Sequence, residues 1–300
     1  MNRTKYLRSF VVVVCLSATV PAAVSAQDSA TSEMSQLVAV LTSADASVFD
    51  KAKACQRLAI IGDESTVPAL AGLLTDEQLS AYARDALEAI PGAAPDVALR
   101  EALSRLEGDR LIDVLGSVGV RRDAEAIDAV ATLLGSDDPA TAAAAARALG
   151  HIGTTAAADK LRNVLSEATA ESGPALGNAC LVCILQLTNQ GLADKAVALC
   201  DALQDAELPQ RVKLAATHNA IRAMGQQGLP RLVELLESED ESQFRGALHV
   251  ARQLDDRLGV SNALVAAFKN QSPSRQVLML IALGDLGQQV SAATVLELSL

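Results

Sequence analysis

The sequence predicts an all-α fold, an α-solenoid (superhelix) of about eight antiparallel helix pairs. Half of the 300 residues are hydrophobic but only 2% are aromatic. This composition disfavours an all-β sandwich, and the abundance of Ala and Leu disfavours disorder. An amphipathic segment followed by a turn recurs along the chain, with turn glycines 27 to 38 residues apart. Self-similarity at this period is typical of a stacked repeat array.

The first 26 residues have the features of a signal peptide. A positive leader precedes a short apolar stretch at residues 10–22, and Val24-Ser25-Ala26 supplies small residues before a cleavage site. The apolar stretch is shorter than the ~20 residues of a membrane-spanning helix. We therefore expect a signal peptide at 1–26, a solenoid at 27–300, and an exported protein, periplasmic or secreted, without stable membrane insertion. Lipidation at Cys15 or an uncleaved anchor is the alternative.

Turn residues divide the rest of the chain into repeats. The glycines that mark the turns are Gly62, Gly92, Gly119, Gly153, Gly191, Gly228, Gly259 and Gly287. Apolar residues recur three and four apart within each repeat, which predicts two helices per repeat. The first helices are expected at 33–42, 65–74, 96–106, 123–134, 156–168, 192–204, 229–237 and 260–269. Their partners are expected at 47–61, 76–90, 109–118, 139–152, 174–188, 209–225, 241–255 and 273–286.

Capping signals support several of these helix starts. Asp138-Pro139 and Ser272-Pro273 place a capping side chain before a proline in the first turn. Thr75 to Gln78 and Asp240 to Gln243 have the spacing of a capping box. One helix pair cannot bury its apolar face alone, so each pair is expected to stack on its neighbours.

The repeat phrases resemble HEAT repeats of the bacterial type first noticed in phycobilisome lyases. Leu58-Ala-Ile-Ile-Gly62 and Ala148-Leu-Gly-His-Ile-Gly153 carry the resemblance, which is strongest over 55–74 and 117–165. Between 174 and 226 the repeats look partly like tetratricopeptide units. The resemblance implies an α-solenoid that binds proteins or organises neighbouring domains, and it does not imply lyase chemistry.

The sequence is also similar to HEAT modules of large secreted bacterial proteins, in which the array adjoins a sugar-hydrolase-like jelly roll or a c-type haem module. Residues 82–88 and 119–123 carry this similarity. No strand-rich segment follows the predicted helices, and no Cys-x-x-Cys-His motif occurs. An accessory subunit or separated module of a carbohydrate-degrading or c-type haem redox enzyme is therefore the alternative function.

The cysteines form one motif, Cys180-Leu-Val-Cys183. Ile184 follows where haem attachment requires His, and only Cys200 lies nearby as a further zinc ligand. The apolar setting favours buried thiols in a helix interface. A disulfide to Cys200 is an alternative, because an exported protein meets oxidising conditions. Cys183 and Cys200 are the expected pair, since both lie at similar distances from the turn at Gly191. Metal or redox activity is the remaining alternative.

The sequence predicts that the protein is not an enzyme and needs no cofactor. His151, His218 and His249 lie on separate second helices, and none has a partner at metal-site spacing. No nucleophile elbow, phosphate-binding loop or zinc-protease His pair occurs. The carboxylates lie mostly at helix starts and on predicted exposed faces, where they cap backbone amides and complement the helix dipole.

Five arginines of the second helices are candidate partner-binding residues. These are Arg57, Arg84, Arg147, Arg222 and Arg252. In HEAT-type arrays the second helices line the concave surface, so a row of arginines there would hold acidic peptide or carboxylate groups bidentately. The alternative is ion pairing between repeats, with acids such as Asp85, Glu88 and Asp255. Two similar interpretations are open for Arg121 and Arg122: an exposed contact at the turn, or ion pairing between repeats.

These observations predict a non-catalytic, exported scaffold that binds another protein over an extended helical surface. Loss of Arg3, Lys5 and Arg8 with the signal peptide changes the net charge from −11 to −14. Such an acidic surface disfavours nucleic acid as a partner. The apolar residues at 290–300 predict self-association or partner binding at the C-terminal end, or a short helix folded onto the last repeat. A pigment lyase or maturation factor is a third reading, disfavoured by the low aromatic content and by export.

Overall fold

The computed structural model describes residues 22–287, with side chains described from residue 31. Sixteen α-helices and five short 3₁₀ segments fill this part of the chain, and it contains no β-strand. The helices alternate between first and second helices of eight consecutive pairs. The structure is therefore the all-α solenoid that the periodicity predicts, and its pairs are HEAT-like in their arrangement.

The first helices are generally short, and several are extended by 3₁₀ segments. They are α1 (Ala22–Thr42), α3 (Val67–Ala71), α5 (Ala94–Leu103), α7 (Ile127–Thr132), α9 (Thr155–Asn163), α11 (Ala193–Asp205), α13 (Leu229–Glu237) and α15 (Arg257–Phe268). The 3₁₀ segments are Glu64–Thr66, Ala124–Ala126, Leu133–Gly135, Leu165–Glu167 and Gly225–Gly228. In the second pair, the first helix was predicted at 65–74. It is a 3₁₀ turn followed by one short α-helix, α3. Gly72 ends that helix, and the next amides donate to carbonyls three residues back.

The second helices are longer and stack on one another from repeat to repeat. They are α2 (Val48–Ile61), α4 (Ser80–Ala89), α6 (Gly108–Arg121), α8 (Pro139–Ile152), α10 (Gly173–Asn189), α12 (Gln210–Met224), α14 (Glu241–Ala251) and α16 (Pro273–Asp285). The bounds of α8 and α13 coincide with the predicted ones. Among the second helices the main errors lie in α4 and α14, which are each four residues shorter at one end than predicted. Among the first helices, α1 begins well before the predicted residue 33, and α9 ends well before the predicted residue 168.

Two of the four predicted caps hold their helix starts as expected. Asp138 accepts hydrogen bonds from the amides of Ala140 and Thr141, and Asp240 accepts from those of Ser242 and Gln243. Asp76, and not Thr75, caps the segment before α4, because its carboxylate accepts from the amides of residues 78 and 79. Ser272 stands at the start of α16 without a side-chain capping bond.

Two of the glycines predicted as turns lie inside helices. Gly119 is part of α6, and the left-handed residue that ends this helix is Arg122, with φ 54°. A Cβ at Gly119 would stand 3.1 Å from the Cα of Ala148, so this glycine allows α6 to pack closely on α8. Gly259 lies in the first turn of α15, where its amide donates to Asp256. Gly119 thus serves close helix packing, and Gly259 takes part in a helix cap. The spacing of glycines in the sequence does not distinguish these two roles from a turn.

The core runs along the array as two clusters of buried apolar side chains. The larger cluster extends from Leu41 to Ala220 and the smaller from Ile221 to Leu286. The division falls within α12, which contributes to both clusters. Each cluster takes residues from first and second helices of several repeats, as stacking of helix pairs requires.

Both predictions at the chain ends fall largely outside the described residues. The signal-peptide features at 1–21 and the apolar segment at 290–300 are not described, while residues 22–26 belong to α1. The predicted cleavage site, between Ala26 and Gln27, therefore lies within the span of α1. None of the helices between residues 22 and 287 combines the length and apolar character needed to cross a membrane.

Candidate interaction surface on the second helices

Three of the five candidate arginines pair with carboxylates of another helix. Arg57 Nε lies 2.7 Å from Glu33 Oε1, and Arg252 Nε lies 2.7 Å from Asp285 Oδ2. Arg84 makes a longer contact, 3.3 Å to Asp113 Oδ2. These pairs join α2 to α1, the end of α14 to α16, and α4 to α6. Arg84 and Arg252 thus pair between repeats, the alternative to partner binding, whereas Arg57 pairs within its own repeat.

The acids that pair with these arginines differ from those named as examples from the sequence. Glu33, Asp113 and Asp285 are the partners, whereas Asp85, Glu88 and Asp255 form no ion pair within residues 31–287. The correct acids lie on facing helices 24 to 33 residues away in sequence. Such distances depend on the crossing geometry of the helices, so the sequence pattern could not select among the acids.

Arg147 and Arg222 are the two candidates that remain available. Both are exposed, and neither forms a hydrogen bond or an ion pair through its side chain with any described residue. An Arg guanidinium presents five donors that suit a carboxylate or another planar acceptor. Partner binding stays a prediction for all five arginines, and these two are the ones whose guanidinium groups have no other described partner.

Arg222 lines a polar cleft between the sixth and seventh helix pairs. Gln226, Gln253, Asp255 and Asp256 share this cleft, which encloses about 490 Å³. The cleft therefore contains the unpaired guanidinium of Arg222 and the carboxylates of Asp255 and Asp256, neither of which forms an ion pair with a described residue. This mixed lining suits polar peptide groups better than a simple anion.

Bulky apolar side chains also stand exposed on the second helices. Ile60 on α2 is 76% exposed, Val120 on α6 is 61% exposed and Leu185 on α10 is 41% exposed. The sequence analysis missed them, although each interrupts the amphipathic pattern two residues from a buried leucine or valine. With helix axes ~8–10 Å apart, alternate second helices place these side chains on the order of 20 Å apart. A ligand that touches more than one of them must be extended or large.

Arg121 and Arg122 take opposite roles. The Arg121 side chain is only 10% exposed, and it pairs with Asp96 on α5, the first helix of the same pair. It also donates hydrogen bonds to backbone carbonyls at the end of α4, in the preceding pair. Arg122 is exposed and occupies the left-handed end position of α6. Of these two arginines, only Arg121 therefore links consecutive repeats, and it does so through its hydrogen bonds to the end of α4.

The cysteines form a buried group of free thiols. Cys180, Cys183 and Cys200 are all buried and unbridged in the structure, as is Cys55. Burial raises the pKa of Cys183 and of Cys200 to about 12, and it raises the pKa of Cys180 still further with help from its two neighbours. Such thiols are poor nucleophiles and poor metal ligands. The bridge between Cys183 and Cys200 stays a prediction.

The histidines are spread over three second helices. His249 Nε2 lies 2.8 Å from Gln253 Nε2. His218 Nε2 is buried without a hydrogen-bond partner among the described residues, and burial together with the nearby His249 lowers the pKa of His218. No group of three or more His, Cys, Asp or Glu side chains between residues 31 and 287 is placed to hold a metal ion.

Comparison with known families identifies HEAT repeats in the middle of the chain. Residues 95–172 match the family model described as HEAT repeats. No curated protein matches the chain. The matched region spans α5 to the segment before α10.

Three solved structures align with most of the chain at low identity and low TM-score. An engineered protein is 18% identical, with a TM-score of 0.37, over 90% of this chain and 92% of that chain. The complex of CpcE and CpcF of phycocyanin lyase from Nostoc sp. PCC7120 is 17% identical, with a TM-score of 0.34, over 85% and 94%. Another engineered protein is 19% identical, with a TM-score of 0.21, over 85% and 96%.

Proposed function

We propose that this chain is an exported, non-catalytic scaffold that binds another protein along its second helices. The observation that carries the proposal is the exposure of Ile60, Val120 and Leu185 on separate second helices, with Arg147 unpaired between the last two. A repeat array offers an extended surface on which affinity is spread over several repeats. Exposed bulky apolar side chains add contact area that a partner can remove from water.

The low reactivity of the polar groups supports a binding role over catalysis. Burial raises the pKa values of the three neighbouring thiols, which makes them poor nucleophiles at neutral pH. Export is the compartment proposed from residues 1–26. Nucleic acid is disfavoured as a partner by the net charge of −11.

Affinity capture from the periplasmic fraction, followed by mass spectrometry, tests the proposal. The bait is the native chain, and the test variant carries V120D and L185D, both at exposed positions. The matched control is L258D, because Leu258 is 57% exposed but lies on a first helix. We expect a partner that the bait and the control retain and that the double variant loses. Equal recovery by all three baits, or no specific partner, contradicts the proposal.

The identity of the captured protein separates the scaffold from the alternative. A jelly-roll hydrolase or a c-type cytochrome as the stable partner would favour an accessory subunit of such an enzyme. Sequencing the N-terminus of the native protein tests export independently. A start at Gln27 supports it, and an intact Met1 on cytosolic protein contradicts it.

A further inference from the structure

An apolar groove opens between the fourth and fifth helix pairs, where the first helices end and the second helices begin. Its volume is about 190 Å³. The apolar lining comes from both pairs: Leu134, Pro139, Ala143, Ala146, Val164 and Leu176. Ala146 and Leu176 are buried at its base, and Ala143 and Val164 are half-buried. The small side chains of the alanine-rich α8 leave this space unfilled.

The size of the groove suits one side chain of a partner. Apolar cavities of ~150 Å³ accept a benzene-sized molecule. A branched aliphatic or aromatic side chain of similar size would lose water-exposed apolar surface on entering, which is favourable by about 25 cal/mol per Å². The groove is open to solvent, so the rest of the partner chain can continue along the surface on either side.

Acidic side chains stand at the edge of the groove. Glu167 and Glu171 line it and are both exposed, and neither carboxylate forms a hydrogen bond or an ion pair with any residue between 31 and 287. The lining contains no basic residue. Glu171 lies two residues before α10, so the dipole of that helix offsets part of its charge. Glu167 is farther from the start of α10, so the helix dipole offsets less of its charge. We therefore expect Glu167 to attract a cation more strongly than Glu171 does.

Charge complementarity selects the occupant among the available chains. A second copy of this protein carries a net charge of −11 and would be repelled. The chain's own residues 288–300 contain Glu297 and no Lys or Arg. A partner segment with Lys or Arg beside its apolar side chain matches both the groove and its acidic edge.

We propose that this groove binds a short segment of a partner protein in which one bulky apolar side chain is flanked by basic residues. The apolar side chain enters between α8 and α10, and the flanking cations face Glu167 and Glu171. The inference rests on the proposed scaffold function and names the chemistry of the partner at one site. It also adds a contact region that the exposed arginines do not provide, since those would select acidic groups.

Binding of labelled synthetic peptides to the mature chain tests this site. The probes are twelve-residue peptides with a central leucine, flanked either by lysines or by glutamates, and a lysine-flanked peptide with serine replacing the leucine. We expect the lysine-flanked leucine peptide to bind at least tenfold more tightly than either of the others. Equal binding of the three peptides, or no binding of the first, overturns the proposal.

Substitutions in the chain test whether the peptide binds in the groove. A143F fills the space and should weaken binding at least tenfold, whereas A140F adds the same ring to an exposed position of α8 outside the lining. E167K should weaken binding similarly, with E234K as the control because Glu234 is exposed on α13 and forms no ion pair among described residues. Thermal melts confirm that each variant is folded. If A143F does not fold, the comparison of E167K with E234K decides.

The same variants separate this inference from the proposed function. If the captured periplasmic partner binds A143F and E167K as well as the native chain, the groove proposal fails while the scaffold function stands. If neither the native chain nor any variant captures a partner, the scaffold function fails. A partner lost by A143F and kept by A140F supports both.

Discussion

Arg121 on α6 forms an ion pair with Asp96 on α5, and the two side chains are only 10% and 22% exposed. The same guanidinium donates hydrogen bonds to backbone carbonyl oxygens at and after the end of α4. These are the oxygens of Leu87, Glu88, Ile90 and Gly92, at 2.8 to 3.1 Å. One side chain therefore satisfies the carbonyl groups left unpaired at a helix end and joins two consecutive repeats.

Replacing Arg121 with Ala should destabilise the protein by about 3 kcal/mol, because it leaves a largely buried carboxylate and several carbonyls without a partner. Arg121→Lys should recover only part of this loss, since an ammonium cannot span the same acceptors. Urea denaturation measures the change in the free energy of unfolding. The control is Arg162→Ala, which removes an exposed pair with Asp159 and should cost at most about 1 kcal/mol. Equal losses at Arg121 and Arg162 would contradict this interpretation.

Two glycines of neighbouring helices should respond oppositely to alanine. A Cβ at Gly150 on α8 would stand 2.6 Å from the carbonyl oxygen of Ala179 on α10, so the helices must separate. We expect Gly150→Ala to cost about 1–3 kcal/mol. A Cβ at Gly116 on α6 meets nothing within 4 Å, and Gly116→Ala should stabilise by about 0.5–1 kcal/mol. Thermal melts that shift in the same direction for both variants would refute the packing argument.

His218 should make stability depend on pH. Its pKa is lowered in the folded protein, first by burial and then by His249, while the unfolded chain keeps the ordinary pKa near 6.5. As the pH falls below about 6.5, the unfolded state takes up the proton first, so the folded state loses stability. His218→Gln should flatten this dependence between pH 7 and pH 5. Denaturation at several pH values measures it, and an unchanged slope in the variant would exclude His218 as the cause.

The cysteine group should resist alkylation in the folded protein. Because burial raises the pKa of Cys183 and of Cys200 to about 12, very little thiolate exists at neutral pH. Iodoacetamide should label these residues only after denaturation. Non-reducing peptide mapping of protein purified from the periplasm tests the predicted bridge in the same samples. A peptide linking Cys183 to Cys200 would confirm the bridge, and full labelling of both after denaturation would exclude it.

Much of the architecture follows from local patterns in the sequence. The bounds of α8 could be predicted because Asp138-Pro139 defines its start and Gly153, at φ 64°, ends it. The bounds of the first helices were harder to predict, because 3₁₀ segments and α-helices have similar apolar spacing over so few residues. Gly119 shows why some turns were predicted wrongly. Glycine is used both where two helices pack closely and where a helix ends, and the sequence does not show which of the two roles a given glycine has.

The sequence by itself determined the helix pairs, their period and their stacking, because the three-and-four spacing of apolar residues and the capping side chains act within a few residues of one another. Only the tertiary structure decided which arginines are paired, since Arg84 and Arg252 meet acids 29 and 33 residues away through the packing of neighbouring helices. It also created the groove beside Ala143, because the space depends on how α8 and α10 are held apart. Contacts between repeats depend on helix crossing geometry, and no local pattern in the chain specifies that geometry.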